Sequence, residues 1–376
     1  MTTAATSGLV VDADAHVRDV HIDQPPDAWR RLAELHPGWI SRGRSGDRQV
    51  TLVDGKLFPY QEGPGRGVPI DSATSPACDA GNRDLEARIH DMDSEGIDLQ
   101  VLFGALAMAV TTFSDIGFAT DFARVYNDWL LSDVCAAHTD RLRGSACVPL
   151  QDVDRAIAEM QRAARLGAVC VTVPPAMGET TNLDDERFIP FFEACAQTGI
   201  AVGVHGAPGM NLPLPAAGRF SNYAQVHCLS FPVDQMVAFV ALTMGGVLDR
   251  VPGLRVVFLE SGAGWVPYMI DRVHEHREKR AELLPDMRSN PRDYLERGQC
   301  WFAFECEERM LGAYIERLGD TSLVYSSDYP HWDSDFPGTV AAVRRDNAGL
   351  GDATLARILG GNAARLYGLE VPAAAR

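Results

Sequence analysis

The chain has 376 residues, 46% hydrophobic and 23% charged, with 34 Gly and 22 Pro, a composition that fits a globular protein with a large core and excludes a disordered one. Its 34 Lys and Arg face 51 Asp and Glu, a net charge of −17, so nucleic acid would be repelled over most of the surface, while a small-molecule substrate is not excluded. Residues 1–8 lack the basic and apolar regions of a secretory signal, and no segment approaches the roughly 20 apolar residues of a membrane helix, so a cytoplasmic protein with no membrane partner is expected.

In chain order, apolar runs of strand length at 9–13, 99–103, 144–149, 168–173, 200–205, 254–260, 300–305 and 323–327 alternate with amphipathic stretches. Those stretches are 83–95, 121–137, 153–166, 185–198, 233–248, 263–278, 307–318 and 337–347. Repeated βα units around a parallel sheet follow, and their number predicts an α/β fold, a (β/α)8 TIM barrel, as one domain over 1–376. A final helix at 353–367 is expected to pack outside the barrel. Two long insertions, 17–81 after the first strand and 206–231 after the fifth, are turn-rich and expected to roof the site. Eight Cys lie between Cys78 and Cys306 without a CxxC pair, which reads as buried free thiols rather than disulfides or a zinc knuckle.

Barrel enzymes place their chemistry at the C-terminal ends of strands. In VVDADAH, alternation puts Asp12, Asp14 and His16 on one face of the first strand. A row of buried carboxylates and imidazole is costly without a partner. Asp14 and His16 are assigned as ligands, and Asp12 lies one step deeper, behind them. The fifth strand, IAVGVHG, ends in His205, and the eighth, LVYSSDYPH, ends in Asp328. Two Asp and two His on one rim suit a divalent ion, Zn2+ with Mn2+ or Fe2+ as alternatives, leaving a position open for water. His274 and His276, two apart on a helix, do not share a face and are set aside. Trp265 is expected to pack the helix after the sixth strand. Glu305 ends the seventh strand on the same rim, as a group behind the ligands or against substrate.

DADAH, the HG after strand five, FLESGAGWVPYMIDRVHEH, FAFECEE, SSDYPHWDSDFP and the late GGNAARLYGL together resemble the amidohydrolase-related family. That family includes aminocarboxymuconate-semialdehyde decarboxylase and gamma-resorcylate decarboxylase. Binuclear relatives carry a bridging lysine at the end of strand four, where this chain reads VTVPP, so the resemblance implies a single metal. On strand six the decarboxylases carry a catalytic histidine, and this chain has Glu260. Glu260 then reads as a general acid or base, as a fifth ligand, or as a brace for His205 or the loop. His227, where relatives also carry a histidine, reads as a substrate-orienting or proton-donating group, or as a surface or capping residue. His331 and Trp332 line the pocket or lock the loop after Asp328. The resemblance also implies a homodimer.

The expected reaction is hydrolysis of an amide, ester, lactone or carbon–carbon bond by water that the ion activates, with Asp328 handling the water proton. The alternative is non-oxidative decarboxylation of an aromatic or unsaturated carboxylate. A barrel that binds metal or ligand without turnover is a third reading.

Overall fold

The computed structural model describes residues 8–17, 27–45, 48–58, 76–206 and 219–369. Its strands are β1 (Val11–Val17), β2 (Ile40–Ser45), β3 (Arg48–Val53), β4 (Lys56–Phe58), β5 (Leu99–Gly104), β6 (Leu142–Cys147), β7 (Cys170–Val173), β8 (Ala201–Val204), β9 (Val256–Phe258), β10 (Cys300–Phe304) and β11 (Leu323–Tyr325). β1 and β5 to β11 form one eight-stranded sheet in the order β1-β5-β6-β7-β8-β9-β10-β11. Each neighbouring pair is parallel. The sheet curls until its two edges meet, where His16 N–H donates to the Tyr329 carbonyl (2.5 Å) and Asp328 N–H to the Asp14 carbonyl (3.2 Å). This is the predicted (β/α)8 TIM barrel.

The strands form where they do because both of their faces are apolar, as burial between an interior and a helical layer requires. Val11, Ala13, Val101, Phe103, Ala201, Val257, Trp301, Ala303 and Val324 fill the interior, and the alternate positions pack against the helices. Helix ends follow local chemistry. Asp84 accepts from Ala87 N–H (2.8 Å) and Asp152 from Arg155 N–H (3.1 Å), while Gly96 and Gly199 close helices at φ 70° and 75°. All eight cysteines are free thiols, each buried except Cys228.

Four expectations change. The 353–367 helix does not pack outside: Ala363, Leu366 and Tyr367 join the interior core, and Tyr367 O–H donates to the Ala13 carbonyl (2.8 Å). It plugs the end of the barrel opposite Asp14 and His16, and Gly360 is required there because a Cβ would meet the Leu9 carbonyl. The insertion at 17–81 is not merely turn-rich, for β2, β3 and β4 pair antiparallel within it. Asp54 and Gly55, at φ 53° and 69°, make the tight turn between β3 and β4, a DG hairpin signal that alternation alone does not reveal.

The second insertion ends in a helix, Tyr223–Met244, which runs from an Asn222 cap through Pro232. Contrary to expectation it is long and apolar enough, at mean hydropathy 1.4, to cross a membrane by composition; 50% of that window is buried inside the protein, as in a core helix. Gln235 ties it down by donating to the carbonyls of Val204 (2.9 Å) and Leu259 (3.2 Å). The parts of both insertions at 18–26, 46–47, 59–75 and 207–218 lie outside the described residues, and with them much of the expected roof. The fourth change, in β1, bears on the site.

Candidate metal centre

The register of β1 against β5 shifts between Asp12 and Ala15, which breaks the period-two alternation. Asp14 and His16 therefore face the barrel mouth, and Asp12 does not share their face, contrary to the sequence expectation. Asp12 instead sits between β1, β5 and the segment after β11. It accepts from Gln100 Nε2 (3.0 Å), Ser327 Oγ (2.5 Å), Ser327 N–H (2.9 Å) and Asp14 N–H (3.4 Å). Burial, against those hydrogen bonds, pushes its carboxyl up to about 7.

At the mouth the four expected ligands converge. His16 Nε2 lies 3.6 Å from Asp14 Oδ1 and 3.2 Å from Asp328 Oδ1, and His205 Nε2 lies 3.3 Å from Asp14 Oδ2. Both carboxylate oxygens of Asp14, both ring nitrogens of His16 and of His205, and Oε2 of Glu260 are buried without a hydrogen-bond partner. Each such group costs about 1–3 kcal/mol if left unmet, and carboxylate with imidazole is a donor set that a divalent cation satisfies. Burial, with His331 alongside, lowers the His16 pKa to about 4, which keeps the imidazole neutral as a ligand must be. Against burial, His331 and His16 hold Asp328 well below the usual carboxylate range.

Glu260 and Asp328, at the ends of the sixth and eighth barrel strands, both have φ 52°, a left-handed conformation uncommon outside glycine and concentrated at functional sites. Glu260 Oε2 is 3.4 Å from His205 Nε2 and its Oε1 is 3.9 Å from His331 Nδ1. Burial first, then the Asp328 and Asp14 charges, raises its pKa well above the usual range. Glu260, His16, Asp328 and His331 thus form a group of potential ligands beside that of Asp14, His16 and His205. His331 stacks on His16 (4.1 Å between centroids) and hydrogen-bonds Asp328 Oδ1 through Nδ1 (2.7 Å). Burial, with Asp328 and Glu307 nearby, likewise raises Glu305 well above its usual range.

His227 lies in the Tyr223–Met244 helix rather than a loop. It stands among the rings of Tyr223 (5.2 Å), Phe231 (5.0 Å) and the exposed Trp332 (5.5 Å), with Nε2 3.7 Å from Asp333 Oδ2. This aromatic set lies within electrostatic reach of Asp328 and belongs to neither group of potential ligands. Burial lowers the His227 pKa, and burial with the Asp328 charge raises Asp333 to about 6. Sequence reasoning missed Asp333, Tyr223 and the buried Arg88, Gln100 and Ser327; Ser327 and Asp333 lie within SSDYPHWDSDFP, yet only their contacts single any of them out. His274 bonds Asn290 and His276 bonds the Arg272 carbonyl, both away from the mouth. Trp265 packs on Phe258 and Phe302 as expected.

The amidohydrolase family model matches residues 11–369. The 2-amino-3-carboxymuconate-6-semialdehyde decarboxylase of Dictyostelium discoideum is 25% identical over 361 residues, covering 94% of this chain and 91% of that protein. An amidohydrolase structure from Mycobacterium avium subsp. paratuberculosis superposes with a TM-score of 0.77 at 20% identity, over 97% of this chain and 99% of that one. The 5-carboxyvanillate decarboxylase of Novosphingobium aromaticivorans, solved with manganese and a nitrobenzoic acid, superposes with a TM-score of 0.68 at 20% identity, over 98% of each chain.

Proposed function

The chain belongs to the amidohydrolase family, and on that premise we propose that it is a single-metal carboxy-lyase that removes carbon dioxide, without oxidation, from an aromatic or unsaturated carboxylate. The observation that carries this reading is the ring of buried, unpartnered donor atoms on Asp14, His16, His205 and Glu260 beside Asp328. Hydrolysis, the first expectation from the sequence, is less well supported, because the curated relative is a decarboxylase. Zinc has no particular support over manganese, which the carboxyvanillate enzyme holds, so manganese is the ion to test first.

Asp14, His16, His205 and Asp328 hold the ion, which when bound supplies a Lewis-acid charge for substrate carboxylate and neighbouring oxygen. Glu260, kept protonated by burial, delivers its proton to the carbon that bears the carboxylate. The bond to the carboxyl carbon then breaks, its electron pair returns to the π-system, carbon dioxide departs, and water reprotonates Glu260. His331 holds Asp328 and stacks on His16. His227 and Trp332 offer a flat wall against a planar substrate, while Glu305 and Asp12 act from behind the ligands. The whole of 1–376 works as one catalytic domain, roofed by 17–81 and 206–231.

The test is a panel of hydroxybenzoates and unsaturated dicarboxylates offered to the manganese-loaded protein beside amides and lactones. Carbon dioxide release from a carboxylate is the expected result. Acid or amine production from the amides and lactones, with no carbon dioxide from any carboxylate, would return the reading to hydrolysis.

A further inference from the structure

Behind the ligands, on the face of β1 turned away from the mouth, a fully buried guanidinium makes contacts that the chemistry above does not use. Arg88, on the helix Leu85–Glu95, donates from Nη2 to the His16 carbonyl (2.5 Å), from Nη1 to Gln100 Oε1 (3.1 Å) and from Nε to the Gly81 carbonyl (3.3 Å). Its Cζ lies over the Tyr329 ring, 4.7 Å from the centroid. Gln100 passes the connection on by donating to Asp12, which Ser327 also grips through N–H and Oγ. Tyr329 N–H donates to Ser327 Oγ (3.1 Å), and Tyr329 O–H to Asp91 Oδ2 (2.6 Å) and the Cys78 carbonyl (3.3 Å).

The place of this chain of contacts matters. Every other neighbouring pair of barrel strands is joined by a ladder, whereas β1 and β11 stand at the two ends of the sheet order. Among the described residues, the backbones there are joined through Asp14, His16, Asp328 and Tyr329. The ligands therefore straddle the seam that regular pairing does not hold, and Asp328 must keep φ 52° between Ser327 and Tyr329, both of which the network ties.

We propose that Arg88, acting through Gln100, Asp12 and Ser327, is a positioning residue that sets the spacing of Asp14 and His16 against Asp328 and thereby sets the metal affinity of the site. This rests on those residues being the ligands. A planar fork suits the task because it reaches acceptors on three different segments at once from one rigid group, which an ammonium cannot. The same fork holds Gly81, so the end of the first insertion is anchored to the backbone of a ligand.

The experiment titrates metal-stripped full-length protein with Mn2+ alone, in competition with a chelating dye, and records the electron paramagnetic resonance spectrum of the bound ion and the thermal midpoint of the metal-free protein. Gln100→Met and Arg88→Met are expected to weaken Mn2+ binding about 10- to 100-fold, the range seen for groups that orient ligands from behind, and to broaden the bound-ion spectrum. Arg88→Lys should recover only part of the loss. The double variant should bind within about threefold of Arg88→Met, because both changes cut one chain of contacts. If Arg88→Met does not fold, Gln100→Met and Ser327→Ala, which keep the guanidinium, carry the same expectation. Variants with lower thermal midpoints but wild-type Mn2+ affinity and spectrum would reduce Arg88 to a stability role and overturn the inference alone. Wild-type protein that binds no Mn2+, or binds it equally as His16→Ala, would overturn the ligand assignment and this inference with it.

Discussion

On one face of β1, Asp12 accepts from Gln100, Ser327 and the Asp14 backbone. On the other, Asp14 and His16 keep every side-chain polar atom free of hydrogen bonds, although all three residues are buried to within 2% exposure. Burial is the same on both faces, so the difference lies in what the surroundings provide. Where the fold itself supplies donors, a buried carboxylate is a fastener; where it supplies none, the group awaits something from outside the chain. The unmet face is the one that reads as functional.

The largest expected effect would come from breaking the unmet face. His16→Ala or Asp328→Ala should strip the bound ion and lower carbon dioxide release by more than about 100-fold, beyond what changes behind the ligands cause; elemental analysis beside the rate assay measures both. The same His16→Ala protein, metal-free, should melt no lower than metal-free wild type, because it loses orphaned polar atoms rather than hydrogen bonds. A marked drop would show that the mouth is held together without an ion.

Glu260→Gln separates proton transfer from binding. The rate should fall about 10²- to 10⁴-fold while the ion stays bound. A rate within about threefold of wild type, under 1 kcal/mol of barrier, would leave Glu260 as a ligand or a brace for His205.

The fastened face predicts the opposite pattern. Asp12→Ala should cost metal-free protein about 2–5 kcal/mol, because Gln100 and Ser327 lose their acceptor in a buried seam, as denaturant titration would measure. A loss below 1 kcal/mol would mean that the seam closes without it.

The smallest effect tests a third kind of buried carboxylate. Asp234, on the Tyr223–Met244 helix, has its pKa raised by burial from 3.8 to about 7. The folded chain binds that proton more tightly than the unfolded one, so the stability it contributes is present below pH 4 and is lost as pH rises through 7. Asp234→Asn should therefore gain about 1–3 kcal/mol over wild type at pH 8 relative to pH 4. An equal difference at both pH values would contradict this.

The barrel was legible because burial between two apolar layers leaves continuous hydrophobic runs, and the runs ending in His205 and at Asp328 betray themselves by a polar residue closing an apolar strand. That Asp14, His16, His205 and Asp328 come together was legible from their motifs for the same reason. Asp12 was misplaced because alternation assumes an unbroken register, and the shift before Ala15 depends on how β1 meets β5. The helix at Tyr223–Met244 begins well before the amphipathic stretch 233–248, because the turns ahead of Pro232 already have an Asn222 cap and a barrel surface to lie on. Arg88 left no trace, since one arginine on a helix reads as solvated until its burial is known.

By itself, the sequence determined which segments become barrel strands and which polar groups stand at their ends, because hydrophobic period and residue chemistry are local properties. Only the tertiary structure decided which buried polar atoms are met and which are left open, because hydrogen-bond satisfaction at the seam depends on residues 88, 100 and 327 arriving together from distant parts of the chain.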